Sequence, residues 1–137
     1  MIGLDTNVLV RYATQDDPKQ AAIAEQLVSQ LTPQNPGFVS QIALVESVWV
    51  LRRLFDADDD SISTFVGRLL NTRDHVVENA DAARRALSET GGGVEFTDAV
   101  LAQTGLAAGC DYTVTFDRRA SKVDGMRLAS SWAELHP

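Results

Sequence analysis

Apolar residues along this chain come in two rhythms that take turns from the first residue to the last: short unbroken runs, and longer stretches that recur every three or four positions. Short strands alternating with helical patterns are the signature of βαβ units and a parallel sheet. MIGLD predicts a first strand, followed by a short helix through NVLVRYA. DDPKQAAIAEQLVSQL predicts a helix with Asp16 or Asp17 as its cap and Pro18 at its first position, and TPQNPG breaks the chain after it. GFVS reads as a second strand. In SQIALVESVWVLRRLF the apolar residues cover more than half of a helix circumference, which predicts a largely buried helix. SISTFVGRLLN is the next helix, capped from the acidic turn DADDDS, and HVVE is a third strand. NADAARRALSET predicts a helix stopped at Gly91, Gly92 and Gly93, and EFTDAVLAQTGLAAG another stopped at Gly109. DYTVTFD is a fourth strand and MRLAS a fifth, at an edge. No repeat, biased tract or linker divides the 137 residues, so a single α/β domain is expected, built on a central and mostly parallel sheet of four or five strands.

Composition narrows the class. Hydrophobic residues make up 45% of the chain, but no run approaches the roughly 18 to 20 needed to span a bilayer, and no basic leader precedes an apolar one. The single cysteine, Cys110, excludes an intrachain disulfide and, beside a helix-ending glycine, is expected to be a small buried hydrophobe. A cytoplasmic protein is the expectation. The net charge of −7 argues against binding nucleic acid through bulk positive charge, although ten of the twelve basic residues are arginine, whose forks suit phosphate.

The chemistry lies in the acids. Asp5 and Asp117 each stand just past an apolar strand, which puts them at the carboxyl edge of a parallel sheet, where ligands bind. If the first and fourth strands are neighbours, the two converge. Glu46 has Ile42, Ala43, Trp49 and Val50 as helical neighbours, all apolar, so it is expected to aim inward; Asp98 has Val94, Leu101 and Ala102, with Glu95 one turn earlier on the same face. An ionised carboxylate is costly to bury alone, so each needs a cap role, an arginine or a metal. Two carboxylates about 4 Å apart repel by roughly 4 kcal/mol at an effective dielectric near 20, whereas a cap contributes only about 0.5–2 kcal/mol. Four converging acids therefore require protonation or a cation, and oxygen ligands without His or Cys select Mg²⁺ or Mn²⁺. The only histidines, His75 inside a predicted strand and His136 at the end, give a Ser-His-Asp or Cys-His arrangement no base.

Together LDTNVLVR, ALVESVWVL, FTDAVLA and VTFDRRA, in this order and spacing, resemble the PIN domain family, and in length and layout the VapC-type ribonuclease toxins of bacterial toxin-antitoxin pairs. The resemblance covers nearly the whole chain and implies a three-layer α-β-α sandwich, one nuclease domain over residues 1–137, and an acidic site on Asp5, Glu46, Asp98 and Asp117. It further implies that Thr6, Asn7 and Thr115 orient the carboxylates or the water at the metal, and that Glu95 is an outer-shell or second-metal ligand. The implied activity is Mg²⁺- or Mn²⁺-dependent hydrolysis of RNA phosphodiester bonds by a homodimeric toxin of a type II pair, held in check by a cognate antitoxin. Arg11, Arg118, Arg119 and Lys122, near predicted strand ends or the turns after them, are candidates to guide the RNA backbone. Two other classes compete. A catalytically silent PIN scaffold would keep the fold and only bind partners. A phosphoacceptor receiver domain would need an adjacent acidic pair after the first strand and a strand-end lysine, where this chain has DTN and Lys122.

Overall fold

Every strand anticipated from the alternation forms, but each is only two or three residues long, so helices carry most of the chain. The computed structural model describes residues 1–135, which leaves His136 outside the described residues. It divides into two units, residues 1–80 and residues 81 onward.

The first unit begins with β1 (Ile2–Gly3), then α1 (Thr6–Thr14), α2 (Pro18–Ser29), β2 (Gly37–Val39), α3 (Gln41–Phe55), α4 (Asp59–Asn71) and β3 (His75–Val77). β2 lies in the middle of a parallel three-stranded sheet, with Ile2 opposite Gly37 on one side and Gly37 opposite His75 on the other. Local chemistry sets the helix starts as expected: the Asp17 carboxylate accepts from the Gln20 N–H at 3.1 Å with Pro18 in the first turn. Ser40 and Asp58 do the same for α3 and α4. The core of this unit is aliphatic: Val39, Leu44, Val48, Ile62 and Val66 are at most 1% exposed.

Gly37 is where the packing is tightest. A β-carbon there would stand 2.7 Å from Leu4 Cδ1 and 2.9 Å from Leu31 Cδ1, and both leucines are buried, so core side chains must shift to admit it. Gly37→Ala should therefore cost about 1–3 kcal/mol of stability, measurable as a lower urea midpoint at unchanged slope.

The second unit contains α5 (Ala80–Glu89), which begins on the last residue of the first, then α6 (Phe96–Ala107), β4 (Thr113–Thr115), β5 (Met126–Leu128) and α7 (Ala129–Leu135). β4 and β5 are parallel, with Val114 opposite Arg127. Within each unit the hydrogen-bonded order is therefore β1-β2-β3 and β4-β5. α5 is tied to α6 through Gln103, which accepts from Arg85 Nε and donates to Glu89 Oε1, both at 3.0 Å. The three glycines after α5 all have positive φ, at 113°, 60° and 94°, and Gly91 and Val94 exchange backbone bonds at 3.0 and 3.1 Å. Two consecutive left-handed residues inside so tight a hairpin call for glycine, which explains the run without a phosphate. Cys110, expected inside, is exposed: Gly109 turns the chain at φ 96° and carries the cysteine outward past the helix end.

Candidate active site

Parallel strands end on one edge, and in the first unit that edge is set by Asp5 after β1, Ser40 after β2 and Glu78 after β3. Two of the three are occupied with the start of α3: Ser40 Oγ accepts from the Ala43 N–H at 3.1 Å and Glu78 Oε1 from the Gln41 N–H at 2.9 Å. Asp5 is different. It holds the N-cap position of α1 with extended backbone, yet its side chain makes no capping bond, and it is exposed. Capping does not account for this carboxylate. Thr6 beside it is buried and Asn7 is exposed.

Glu46 corrects the sequence reading. The buried stripe of α3 is Ala43, Leu44, Ser47, Val48 and Leu51, and Glu46 lies off it, exposed, with Ile42 and Trp49 at 78% and 54% exposure on the same side. Apolar neighbours surround this position in sequence because α3 is apolar on both faces. Arg53 stacks on Trp49 with its guanidinium carbon 5.5 Å from the ring centroid.

In the second unit the geometry is set by direction. The glycine hairpin delivers the chain to Glu95, the N-cap of α6, so that Asp98 falls in the first helical turn. α6 packs against β4, and a short turn between them reverses the chain. The start of the helix is thereby brought to the end of the strand, and Asp98 comes near Asp117. Asp117 is fixed by its own turn: its N–H donates to Thr115 Oγ1 at 3.0 Å, and its Oδ1 accepts from the Arg119 and Ala120 N–H groups at 2.8 and 3.3 Å. Both accepted bonds use Oδ1, so a second oxygen remains on the same carboxylate. Thr115 thus contacts Asp117 through the backbone N–H of the acid.

The electrostatic consequence falls on Asp98. Burial is the largest cause and the charges of Asp117 and Glu95 add to it, so the Asp98 carboxyl is pushed above the usual carboxylate range. A first-turn position, where the helix dipole favours an ionised acid, does not overcome this. The ion pairs among the described residues, Arg11 with Asp16 and Arg52 with Asp59, engage none of Asp5, Glu46, Asp98 or Asp117. Three acids of one unit therefore share a field that no described ion pair relieves at Asp98 or Asp117.

Arg118 and Arg119 are exposed in the turn that follows Asp117, and Lys122 is exposed in the single 3₁₀ turn beyond it. Arg11 is engaged elsewhere, donating to Asp16 at 3.0 Å and to Gln20 at 2.7 Å. One residue escaped the sequence pattern. The alternation in DYTVTFD runs on through Phe116, whereas β4 stops at Thr115 and Phe116 is 92% exposed. The available signal was an aromatic residue wedged between a strand end and the run Asp117, Arg118, Arg119.

Carboxylates and threonine hydroxyls offer a hard cation the oxygen donors it prefers and a soft metal nothing. Among the described residues no three acidic, imidazole or thiol groups draw together as a finished metal cage. Such a donor set fits Mg²⁺, which keeps most of its water and is held by one or two carboxylates together with substrate phosphate.

Parallel strands with acids at their ends define an α/β protein of the nuclease-like class. The family model of the PIN domain matches residues 2–126, and the chain belongs to that family, whose fold is a nuclease fold commonly served by divalent metals. No curated protein matches the chain. No helix among the described residues is long and apolar enough to cross a membrane.

Proposed function

We propose that this protein is a Mg²⁺- or Mn²⁺-dependent endoribonuclease whose acidic residues are Asp5, Glu46, Asp98 and Asp117. The observation that supports this best is the raised pKa of Asp98, caused by burial and by the charges of Asp117 and Glu95. Selection for stability alone would pair or disperse such charges. In this reading Asp98 and Asp117 hold the ion with Asp5 and Glu46, and Glu95 adds negative charge beside them. A bound divalent ion supplies charge stabilisation on the phosphate and lowers the pKa of an attacking water. The chain's own residues do the positioning. Thr115 and the turn after it hold Asp117 rigid, Thr6 and Asn7 flank Asp5, and Arg118, Arg119 and Lys122 meet the RNA backbone. Arg11 joins them in this role only if it leaves Asp16.

The toxin role, a cytoplasmic homodimer with a cognate antitoxin, rests on the family. The first unit offers a partner a suitable surface: a groove of about 860 Å³ between α1, α2 and α4. Its lining includes apolar Val8, Leu9, Tyr12 and Phe65, and its acids, Glu25, Asp58, Asp60 and Asp74, outnumber the single cation Arg68. An antitoxin segment with apolar and basic side chains matches both.

Purified protein incubated with single-stranded RNA should cleave it in Mg²⁺ or Mn²⁺ and not in EDTA; cleavage indifferent to chelation would end this reading. The acid limb carries a second expectation. A raised pKa keeps Asp98 protonated to higher pH, and cation binding needs it ionised, so activity should rise with pH through a midpoint above the ordinary carboxylate value. Because the ion and the proton compete, a tenfold increase in subsaturating Mg²⁺ should move that limb to lower pH by up to about one unit. A limb that ignores Mg²⁺ would show that Asp98 is not a ligand.

A further inference from the structure

Phe116 is the most exposed of the large hydrophobic side chains described, and it stands directly before Asp117. The turn that follows is held by the bonds of Asp117, so the phenyl ring is displayed from a fixed support. The strand before it offers a second ring nearby in sequence: Arg127, opposite Val114 of β4, lies over the ring of Tyr112, the residue just before that strand, at 4.3 Å from its centroid. Charge changes sign here as well. Residues 116–127 hold Arg118, Arg119, Lys122 and Arg127 against Asp117 and Asp124, in a chain whose net charge is −7.

An open aromatic ring, a guanidinium already stacked on a second ring, and exposed cations in the turn that follows are what an unpaired nucleotide requires: stacking for the base, charge for the backbone. We propose that Phe116 is the platform on which an unpaired RNA base stacks beside the phosphodiester to be cleaved, with Arg118 and Arg119 on the flanking phosphates. This rests on the ribonuclease reading above and adds substrate selection to it. Duplex RNA, whose bases are already stacked, cannot use the ring, so the residue selects single strands while tolerating different bases.

The test uses the full chain, with binding of labelled oligo(A) measured in EDTA and its cleavage in Mg²⁺. Phe116→Ala should weaken binding and raise KM by between about fivefold and a hundredfold, the range of a lost base-aromatic stack. Phe116→Trp should restore both, Phe116→Leu should not, and binding of duplex RNA should be the same in all four proteins. The thermal midpoint should not move, since the side chain is 92% exposed. Arg118→Ala should act differently, lowering the salt dependence of binding for single and double strands alike. If wild type cleaves oligo(A) and Phe116→Ala matches it, stacking is wrong and the nuclease stands. If Phe116→Leu behaves as wild type, the residue is an apolar contact for a protein partner or a second copy, and stacking is again wrong. If wild type neither binds nor cleaves RNA, the ribonuclease reading fails and takes this proposal with it.

Discussion

Asp98→Asn should abolish RNA cleavage by about 10³-fold or more while leaving the metal-free protein slightly more stable than wild type. The loss follows from removing a carboxylate that holds the ion, since a divalent metal contributes several kcal/mol of charge stabilisation in phosphoryl transfer. The gain follows from linkage. Asp98 has a raised pKa in the folded protein, so folding favours its protonated form; the stability it lends is present below the ordinary value of 3.8 and is lost as pH rises through the folded pKa. At neutral pH the ionised group is a burden, and a neutral isostere removes it. The carboxyl is partly solvated and salt screens its neighbours, so the gain should stay under about 1 kcal/mol, or a few degrees in the thermal midpoint. Added Mg²⁺ should reverse the order. At a hundredfold over its Kd the ion stabilises wild type by about 2.7 kcal/mol and should do little for the variant. Equal midpoints for the two proteins under both conditions would remove Asp98 from the site.

The second large effect is expected two residues away. Phe96 is fully buried at the first position of α6, and its ring anchors the turn that carries both Glu95 and Asp98. Phe96→Ala should cost about 3–5 kcal/mol through lost transfer energy and an unfilled cavity. Against a total stability of about 5–15 kcal/mol, that leaves a protein close to unfolding at physiological temperature. Urea titration should show the loss, while Phe96→Leu should stay within about 1.5 kcal/mol of wild type. A cost below about 1 kcal/mol for the alanine would mean that the ring does not hold the start of α6.

The contrast between Phe96 and Glu46 shows what the sequence could reveal. Helix and strand rhythm located the elements because periodicity is a local property: Asp17, Pro18 and the glycine triplet mark real boundaries. The face a helix presents is not local when apolar residues ring it. In α3 the pattern allowed Glu46 to point inward, and only the packing of Ala43, Leu44, Ser47 and Val48 shows which side is covered. Strand order was out of reach as well, because strands of two or three residues are too short for their composition to name a partner. α7 follows directly on β5 with no intervening break, so MRLAS read as an edge strand and the helix after it went unseen. Of the four acids singled out, Asp98 is the one whose surroundings raise its pKa, while Asp5, Glu46 and Asp117 are exposed.

The proposed function stands on a divalent ion held by carboxylates, and titration of Mn²⁺ into the metal-free protein, followed by calorimetry, tests it most directly. Wild type should bind Mn²⁺, and Asp5→Asn, Asp98→Asn and Asp117→Asn should each weaken binding by about tenfold or more, in step with their loss of cleavage. Binding of Mn²⁺ to Asp5→Asn and Asp98→Asn as tight as to wild type would contradict it.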